Sequence, residues 1–285
     1  MSLLDGVPSV REIVAFAQAL SLPPAALTDS NALYGAMEFA SECRQAGIAS
    51  ILGAELTLAR GLAIVFLAQN MQGYGNLCRL ITRLQAAPDR EAALARGLSL
   101  NDLARHADGL IALSGGRCGP LDACLREGNP AQAESITQEL VGLFGQNQFF
   151  AELQIIEEGD EQKARVLQSL ADRLNVRTVA THDIHYLLPA DAQLYRVLTA
   201  MRKNSRLADL PTLPDLSFPS ENEMRRKFAE FPAALDHTDW IANQCRFEFP
   251  SASGAFHRLT CRRAARRVKR CGHSLWPAHH SDTVR

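Results

Sequence analysis

Long apolar runs and paired cysteines are the features that this 285-residue sequence lacks most clearly. It contains no run of about eighteen apolar residues, so no membrane-spanning helix is expected. Its first residues lack the basic and apolar regions of a secretory signal. The seven cysteines are odd in number and form no Cys-x-x-Cys pair. This usage favours reduced thiols in a cytoplasmic protein over a disulfide framework.

Charge is divided unevenly along the chain. The 30 Lys and Arg residues include eight between positions 252 and 285, where there is one acidic residue, so the rest holds 22 basic and 30 acidic residues. An acidic body is a poor electrostatic partner for phosphate backbones. We therefore expect no direct nucleic-acid binding by this body, and no membrane partner.

Short apolar segments alternate with amphipathic segments of ten to fifteen residues over the first 200 positions. This alternation predicts an α/β fold built from parallel βαβ units, and about seven strands would favour a closed barrel over an open sheet. Ser9 and Glu12 form a capping-box pattern that starts a helix, and the charged segment 87–97 is expected to be a surface excursion. The predicted strands are 25–28, 50–58, 62–68, 110–113, 148–154 and 176–180.

Acidic residues follow or end three of these strands. Asp29 follows the first, Glu55 lies late in the second, and Asp183 with His185 follows the last. Any one of them alone is more readily explained as a helix cap or a turn residue. Together they predict metal ligands or acid–base groups at one edge of the sheet or barrel.

Several short motifs recur in a recognisable order. They are Leu3-Leu4-Asp5-Gly6, Ala26-Leu27-Thr28-Asp29, Gly53-Ala54-Glu55, Gly73-Tyr74-Gly75-Asn76-Leu77, the segment 109–115 and the segment 180–187. In order and spacing, residues 3–205 resemble the PHP (polymerase and histidinol phosphatase) domain. The version resembled is the one at the amino end of the bacterial DNA polymerase III alpha subunit and its error-prone relative.

The resemblance implies a domain organisation. Residues 1–208 are expected to form a distorted (β/α)7 PHP barrel, without the amino-terminal His-x-His segment of the family. Residues 209–250 are expected to be a linker and helices leading toward a polymerase core that this chain lacks. Residues 251–285 form a basic tail that resembles nothing in the family. A basic run can be a nucleic-acid or membrane patch, but a disordered or frame-shifted tail is the interpretation we favour.

The resemblance also implies a metal centre that hydrolyses phosphoesters. Four residues match ligand positions of that centre: Asp29, Glu55, Asp183 and His185.

Three positions depart from the family pattern. Ser30 and Ala63 stand where the family has His, and Gly116 stands where it has Cys or His. The remaining nitrogen donors are too few for a closed multinuclear site. We therefore expect a vestigial metal site with no catalytic residue and no tightly bound cofactor, where one Mg²⁺ or Mn²⁺ ion binds weakly at most.

Two functions follow from this pattern. The first is a PHP-domain portion of an error-prone DNA polymerase, which is itself inactive and structural and has the polymerase core as its partner. In the full-length parent, the activity would be DNA-directed DNA synthesis during damage-tolerant replication. The alternative is an autonomous metal-dependent PHP phosphoesterase. The carboxylates and His185 favour the alternative, while Ser30 and Ala63 oppose it.

The tail gives a first prediction. Residues 252–285 have few apolar residues and no helical or strand periodicity. Such a segment cannot offset the backbone entropy of ordering, about 1–2 kcal/mol per residue. Deleting 252–285 should leave the midpoint of thermal unfolding, followed by circular dichroism, nearly equal to that of the full chain. A large fall would show that the tail packs on the barrel.

Overall fold

A curled six-stranded sheet forms the centre of the computed structural model, which describes residues 5–22 and 24–246. The strands lie side by side in chain order. Their bounds are β1 Pro24–Ser30, β2 Ala49–Thr57, β3 Ala63–Ala68, β4 Leu110–Leu113, β5 Phe149–Gln154 and β6 Arg177–Thr181.

Eleven α-helices connect and cover these strands in the described part of the chain. They are α1 Val10–Ala19, α2 Ala36–Ala46, α3 Met71–Gln85, α4 Arg90–Arg96, α5 Leu100–Ala104, α6 Pro120–Arg126, α7 Pro130–Phe144, α8 Asp160–Arg173, α9 Ala192–Arg202, α10 Glu221–Lys227 and α11 Pro232–Gln244.

The α/β barrel-like class predicted from the sequence is confirmed, but the sheet differs in detail from seven parallel strands. The described residues form six strands, and β3 runs antiparallel to both β2 and β4. The connection between β2 and β3 explains the reversal, because five residues suit a hairpin and are too few for a parallel crossover. The other ladders, β1–β2, β4–β5 and β5–β6, are parallel.

Capping residues fix the helix ends where the sequence predicted them. The Ser9 hydroxyl accepts a bond from the Glu12 backbone N–H, and the Glu12 carboxylate accepts from the Ser9 backbone N–H at 2.7 Å. Segment 87–97 was expected to be a surface excursion, and most of its residues are exposed. It contains α4, whose first turn is capped by Asp89 accepting from the Ala92 N–H at 2.9 Å.

Apolar side chains cover both faces of the sheet, as expected for strands that are apolar almost throughout. Successive residues point to opposite faces, so Phe149 joins the larger core while Phe150 joins a second, smaller one. Helices α3, α7 and α8 contribute to the larger core. Helix α11 covers the other face with Ile241, Ala242 and the partly buried Trp240.

Helix α11 also satisfies carbonyl groups of the last strand. His237 Nδ1 lies 2.8 Å from the carbonyl oxygen of Thr178, and the Thr238 hydroxyl donates to the carbonyl of Ala180 at 3.2 Å. Both carbonyls belong to β6, which pairs with β5 and with no other strand among the described residues. The helix therefore takes the place that a further strand would occupy beside β6. The boundary predicted between residues 208 and 209 stays a prediction.

Helix α3 approaches the turn before β4 so closely that the first glycine of the Gly73-Tyr74-Gly75-Asn76-Leu77 motif is required. A Cβ atom on Gly73 would lie 1.8 Å from the carbonyl oxygen of Gly109. Asn76 holds the same turn, since its amide donates to the carbonyl of Asp108 at 2.9 Å. Leu77 is fully buried on the same helix. The motif therefore holds α3 against the turn before β4, through close backbone packing at Gly73 and the side chain of Asn76.

None of the helices in the described part of the chain combines the length and apolar composition that a membrane crossing requires. The tail predicted for 251–285 lies outside the described residues.

The close approach predicts opposite effects for two glycines of α3. Gly73→Ala should destabilise the protein by about 3 kcal/mol, because a backbone carbonyl must move away from the new methyl group. Gly75→Ala is the matched control, since its Cβ would meet only Arg79 Nη1, at 3.5 Å. That change should stabilise the protein by about 0.5–1 kcal/mol through helix propensity. Urea unfolding of both variants measures the difference, and equal effects would contradict the packing described here.

Candidate functional site

The acidic residues predicted from the sequence lie toward one edge of the sheet. Because β3 runs antiparallel to both neighbours, β1, β2, β4, β5 and β6 all point the same way and end at the same edge. Glu55 lies late in β2, Glu152 lies late in β5, and Asp183 follows β6. This is the edge where α/β proteins place their sites.

Glu152 is the most enclosed of these acids, at 4% exposure. Its carboxylate accepts from the Gly115 N–H at 3.0 Å, from the Thr181 hydroxyl at 2.5 Å and from the Gln154 amide at 3.2 Å. Burial raises its pKa, and the hydrogen bonds from Thr181 and Gly115 counter only part of that effect. The group is therefore held by neutral donors.

Glu55 and Asp183 respond to this environment in opposite ways. Burial raises the pKa of Glu55, and the nearby charges of Asp183 and Glu152 raise it further. Burial also acts to raise the pKa of Asp183, but the hydrogen bond and charge of His185 outweigh it and leave the pKa lowered. Asp183 is thus the carboxylate that this site keeps ionised.

Both ring nitrogens of His185 contact oxygen atoms of the protein. Nε2 lies 3.0 Å from Asp183 Oδ1, and Nδ1 forms a close contact with the carbonyl oxygen of Asp5. Neither nitrogen presents a free lone pair to a metal ion in this arrangement.

Asp5 joins the site from the beginning of the described chain. One carboxylate oxygen is ion-paired with Arg202, and the other accepts from the Ser30 hydroxyl at 2.8 Å. The backbone N–H of Val7 donates to the carbonyl of His185 at 2.9 Å and fixes this segment beside the loop after β6. Residues more than 175 positions apart are joined here.

Helix α9 packs over the same loop. The Tyr195 ring lies 4.7 Å from the His185 ring and 5.6 Å from the Tyr186 ring, measured between centroids. Tyr186 is fully buried and donates to Asp215 at 3.2 Å. These contacts hold His185 in one orientation, and Arg202 at the end of the same helix reaches Asp5.

Asp29 lies apart from the other predicted ligands. Its partner across the β1–β2 ladder is Ala54, in the larger core, whereas Ser30 pairs with Glu55. Neighbouring residues of a strand point to opposite faces, so Asp29 faces away from Glu55. Its carboxylate accepts from the Gly35 N–H at 3.2 Å, ahead of α2. The structure therefore brings together Glu55, Asp183 and His185, and the ligand roles predicted for all four residues stay predictions.

The positions that depart from the family pattern supply no replacement donor. Ala63 is buried and apolar. A Cβ on Gly116 would lie 2.3–2.5 Å from the Gln154 amide group, so a larger residue there would displace Gln154. Cys118 lies nearby, and burial of its thiol, with the charges of Glu55 and Asp183, raises its pKa to about 11. The thiol is therefore protonated at neutral pH when no metal ion is bound.

These observations test whether the residues fit a bound metal cluster. No three His, Cys, Asp or Glu side chains of residues 5–22 and 24–246 are arranged to hold one metal ion. Both nitrogens of His185 and both carboxylate oxygens of Asp5 are taken by protein groups. The described residues therefore do not fit the metal cluster of the resembled family. Weak binding of one Mg²⁺ or Mn²⁺ remains a prediction.

Sequence reasoning missed three residues of this site: Asp5, Glu152 and Arg202. Glu152 carried a usable signal, since it is the one charged residue of a strand whose other residues, apart from Gln154, are apolar. Asp5 belongs to the Leu3-Leu4-Asp5-Gly6 motif but follows no strand. Arg202 carried no signal, because a basic residue in the last turn of a helix is common.

Comparisons with known proteins agree with the sequence pattern. The family described as the PHP domain matches residues 1–155, more than half of the chain. The DNA polymerase III subunit alpha of Bacillus subtilis is 30% identical over 255 residues, covering 87% of this chain and 22% of that protein. The error-prone DNA polymerase of Symbiobacterium thermophilum is 34% identical over 264 residues, covering 86% of this chain and 24% of that protein.

A solved amidohydrolase from Chromobacterium violaceum aligns over 78% of this chain and 93% of its own, at 15% identity and a TM-score of 0.47. The chain spans less than a quarter of the length of the two polymerases it matches. The length of the family match and the agreement of the motifs settle the classification predicted from the sequence. The chain belongs to the PHP domain family.

Proposed function

We propose that this chain is the PHP region of a bacterial DNA polymerase of the error-prone type. Its own role is structural, since it neither synthesises DNA nor hydrolyses phosphoesters. Its partner is the polymerase core of such a protein, and its compartment is the cytoplasm. Template-directed DNA synthesis belongs to that core and not to residues 5–246.

The observation that carries this proposal is the engagement of His185 and Asp5 by protein groups. A hydrolytic metal centre needs neutral imidazole nitrogens and free carboxylate oxygens around its ions. Here the two imidazole nitrogens contact Asp183 and the Asp5 carbonyl oxygen. The Asp5 carboxylate oxygens contact Arg202 and the Ser30 hydroxyl. The comparisons support the polymerase assignment, because both relatives described above are DNA polymerases by name.

A phosphoesterase is the second candidate function. Glu55, Glu152 and Asp183 lie at the same edge of the sheet, and the charge of Asp183 raises the pKa of both glutamates. Glu152 nevertheless uses its oxygens on Thr181, Gln154 and Gly115. Its partners would have to be displaced before it bound a metal ion.

Enzyme assays distinguish the two functions. With Mg²⁺ or Mn²⁺ present, the purified full chain should extend no primed template and should release no phosphate from aryl or sugar phosphates. Asp183→Asn is the matched control for a contaminating phosphatase, since it alters the ionised carboxylate of the site. Hydrolysis that the wild-type chain shows and Asp183→Asn loses would establish the phosphoesterase and overturn the structural role.

A structural site also predicts how Glu55 affects stability with pH. Because the folded-state pKa of Glu55 is raised above its ordinary 4.5, the folded protein holds this proton to higher pH than the unfolded chain does. Its ionisation therefore removes stability as pH rises through the raised value. Glu55→Gln should raise the unfolding midpoint at neutral pH, and the gain should shrink as pH falls toward 4.5.

The exposed Glu158→Gln serves as the control for this measurement, because it removes a carboxylate outside the site. It should change the midpoint little at either pH. A loss of stability in Glu55→Gln at neutral pH would mean that the ionised carboxylate has a favourable partner, and the argument from burial would fail.

A further inference from the structure

Each oxygen of the Asp5 carboxylate has a protein partner at a place where a metal ion could otherwise bind. Arg202 contacts Oδ1 and the Ser30 hydroxyl donates to Oδ2 at 2.8 Å. The Asp5 side chain is 19% exposed and that of Arg202 is 37% exposed, so the carboxylate is shielded from water while the guanidinium is partly exposed. Ser30 stands at a position where the resembled family has His.

A positive charge at this point has an electrostatic reason. Asp5 and Asp183 flank the same imidazole, with His185 Nδ1 3.8 Å from Asp5 Oδ1 and Nε2 3.0 Å from Asp183 Oδ1. The one imidazole ring therefore lies between two carboxylates. Glu55 adds a further acid beside Asp183. Without a second cation, this edge of the sheet would carry uncompensated negative charge.

We propose that Arg202 is an internal cation that takes the place of a metal ion at Asp5 and makes the fold of this PHP domain independent of divalent metal. The guanidinium supplies the charge and donates directly to the carboxylate. A divalent ion would have to displace it to reach Asp5. Arg202 is a positioning residue, since it acts on the site through Asp5.

The geometry of α9 gives this ion pair a second consequence. Arg202 ends the helix, and Tyr195 on the preceding turns packs against His185. The pair therefore fastens the helix to the chain segment around Asp5 while the tyrosine holds the imidazole. Loss of the guanidinium would leave the carboxylate with the Ser30 hydroxyl but no cation, and would release the end of the helix.

The test is thermal unfolding of the full chain with chelator and with millimolar Mg²⁺ or Mn²⁺. Wild type should have the same midpoint in all three conditions. Arg202→Met should lower the midpoint in chelator by about 2–6 °C, since the pair is partly exposed. Mn²⁺ or Mg²⁺ should restore much of that loss, because an ion that binds only the folded state stabilises it.

Matched variants separate an internal cation from an ordinary ion pair. Lys203→Met removes an exposed charge one residue further on and should show neither loss nor rescue. Arg202→Lys keeps the charge and should remain close to wild type and indifferent to metal. Asp5→Asn combined with Arg202→Met should lose the metal rescue, since the carboxylate that binds the ion is gone.

Three results would overturn the proposal. They are an Arg202→Met midpoint unchanged in chelator, a loss that neither ion reduces, and a wild-type midpoint that rises with metal as much as that of the variant. If Arg202→Met does not fold, Arg202→Gln, which keeps a donor and removes the charge, carries the same comparison. Failure of both variants to fold even with Mn²⁺ present would also overturn it, because the ion is expected to replace the guanidinium. All these outcomes are independent of polymerase or phosphoesterase activity.

Discussion

Mutual repulsion among carboxylates is the constraint that shapes the edge where the strands end. The fold brings several acids into a partly buried region, and each needs its own compensation. Glu152 is held by hydroxyl, amide and backbone donors, whereas Asp183 relies on the charge of His185. Asp5 relies on Arg202 and Ser30. The segment around Asp5, the loop after β6 and the end of α9 are distant in sequence, and the charged residues of each are compensated by residues of the others.

Most of the fold was predictable because its elements are long or well capped. Six segments of strand length were placed within a few residues, and the Ser9 capping box marks a real helix start. Short helices such as α4 were not predicted, because seven residues span too few turns to show a helical periodicity. The direction of β3 depends on the length of a loop, and the role of α11 as the neighbour of β6 depends on tertiary packing. No local pattern encodes either one.

The site was less predictable than the fold, for a geometric reason. Glu55 and Asp183 lie near the ends of their strands in the sequence, and both lie at one edge of the sheet. Position along a strand does not tell which face of the sheet a residue occupies. One residue of offset separates Asp29, beside Ala54, from Ser30, beside Glu55. Asp5 and Arg202 reach the site from an irregular segment and from a helix end. Their meeting depends on chain topology, which short motifs do not contain.

Helix α11 has a consequence for where this domain can be divided. Its apolar side chains cover Phe150, Leu113 and Val179 on one face of the sheet, and its polar side chains occupy two carbonyls of β6. Truncating the chain before α10 would expose that face of the sheet to solvent and would remove the side chains that bond to those two carbonyls. The smallest autonomous folding unit therefore reaches at least to Gln244. Recombination between genes of this family would preserve a working sheet only if the crossover falls beyond that helix.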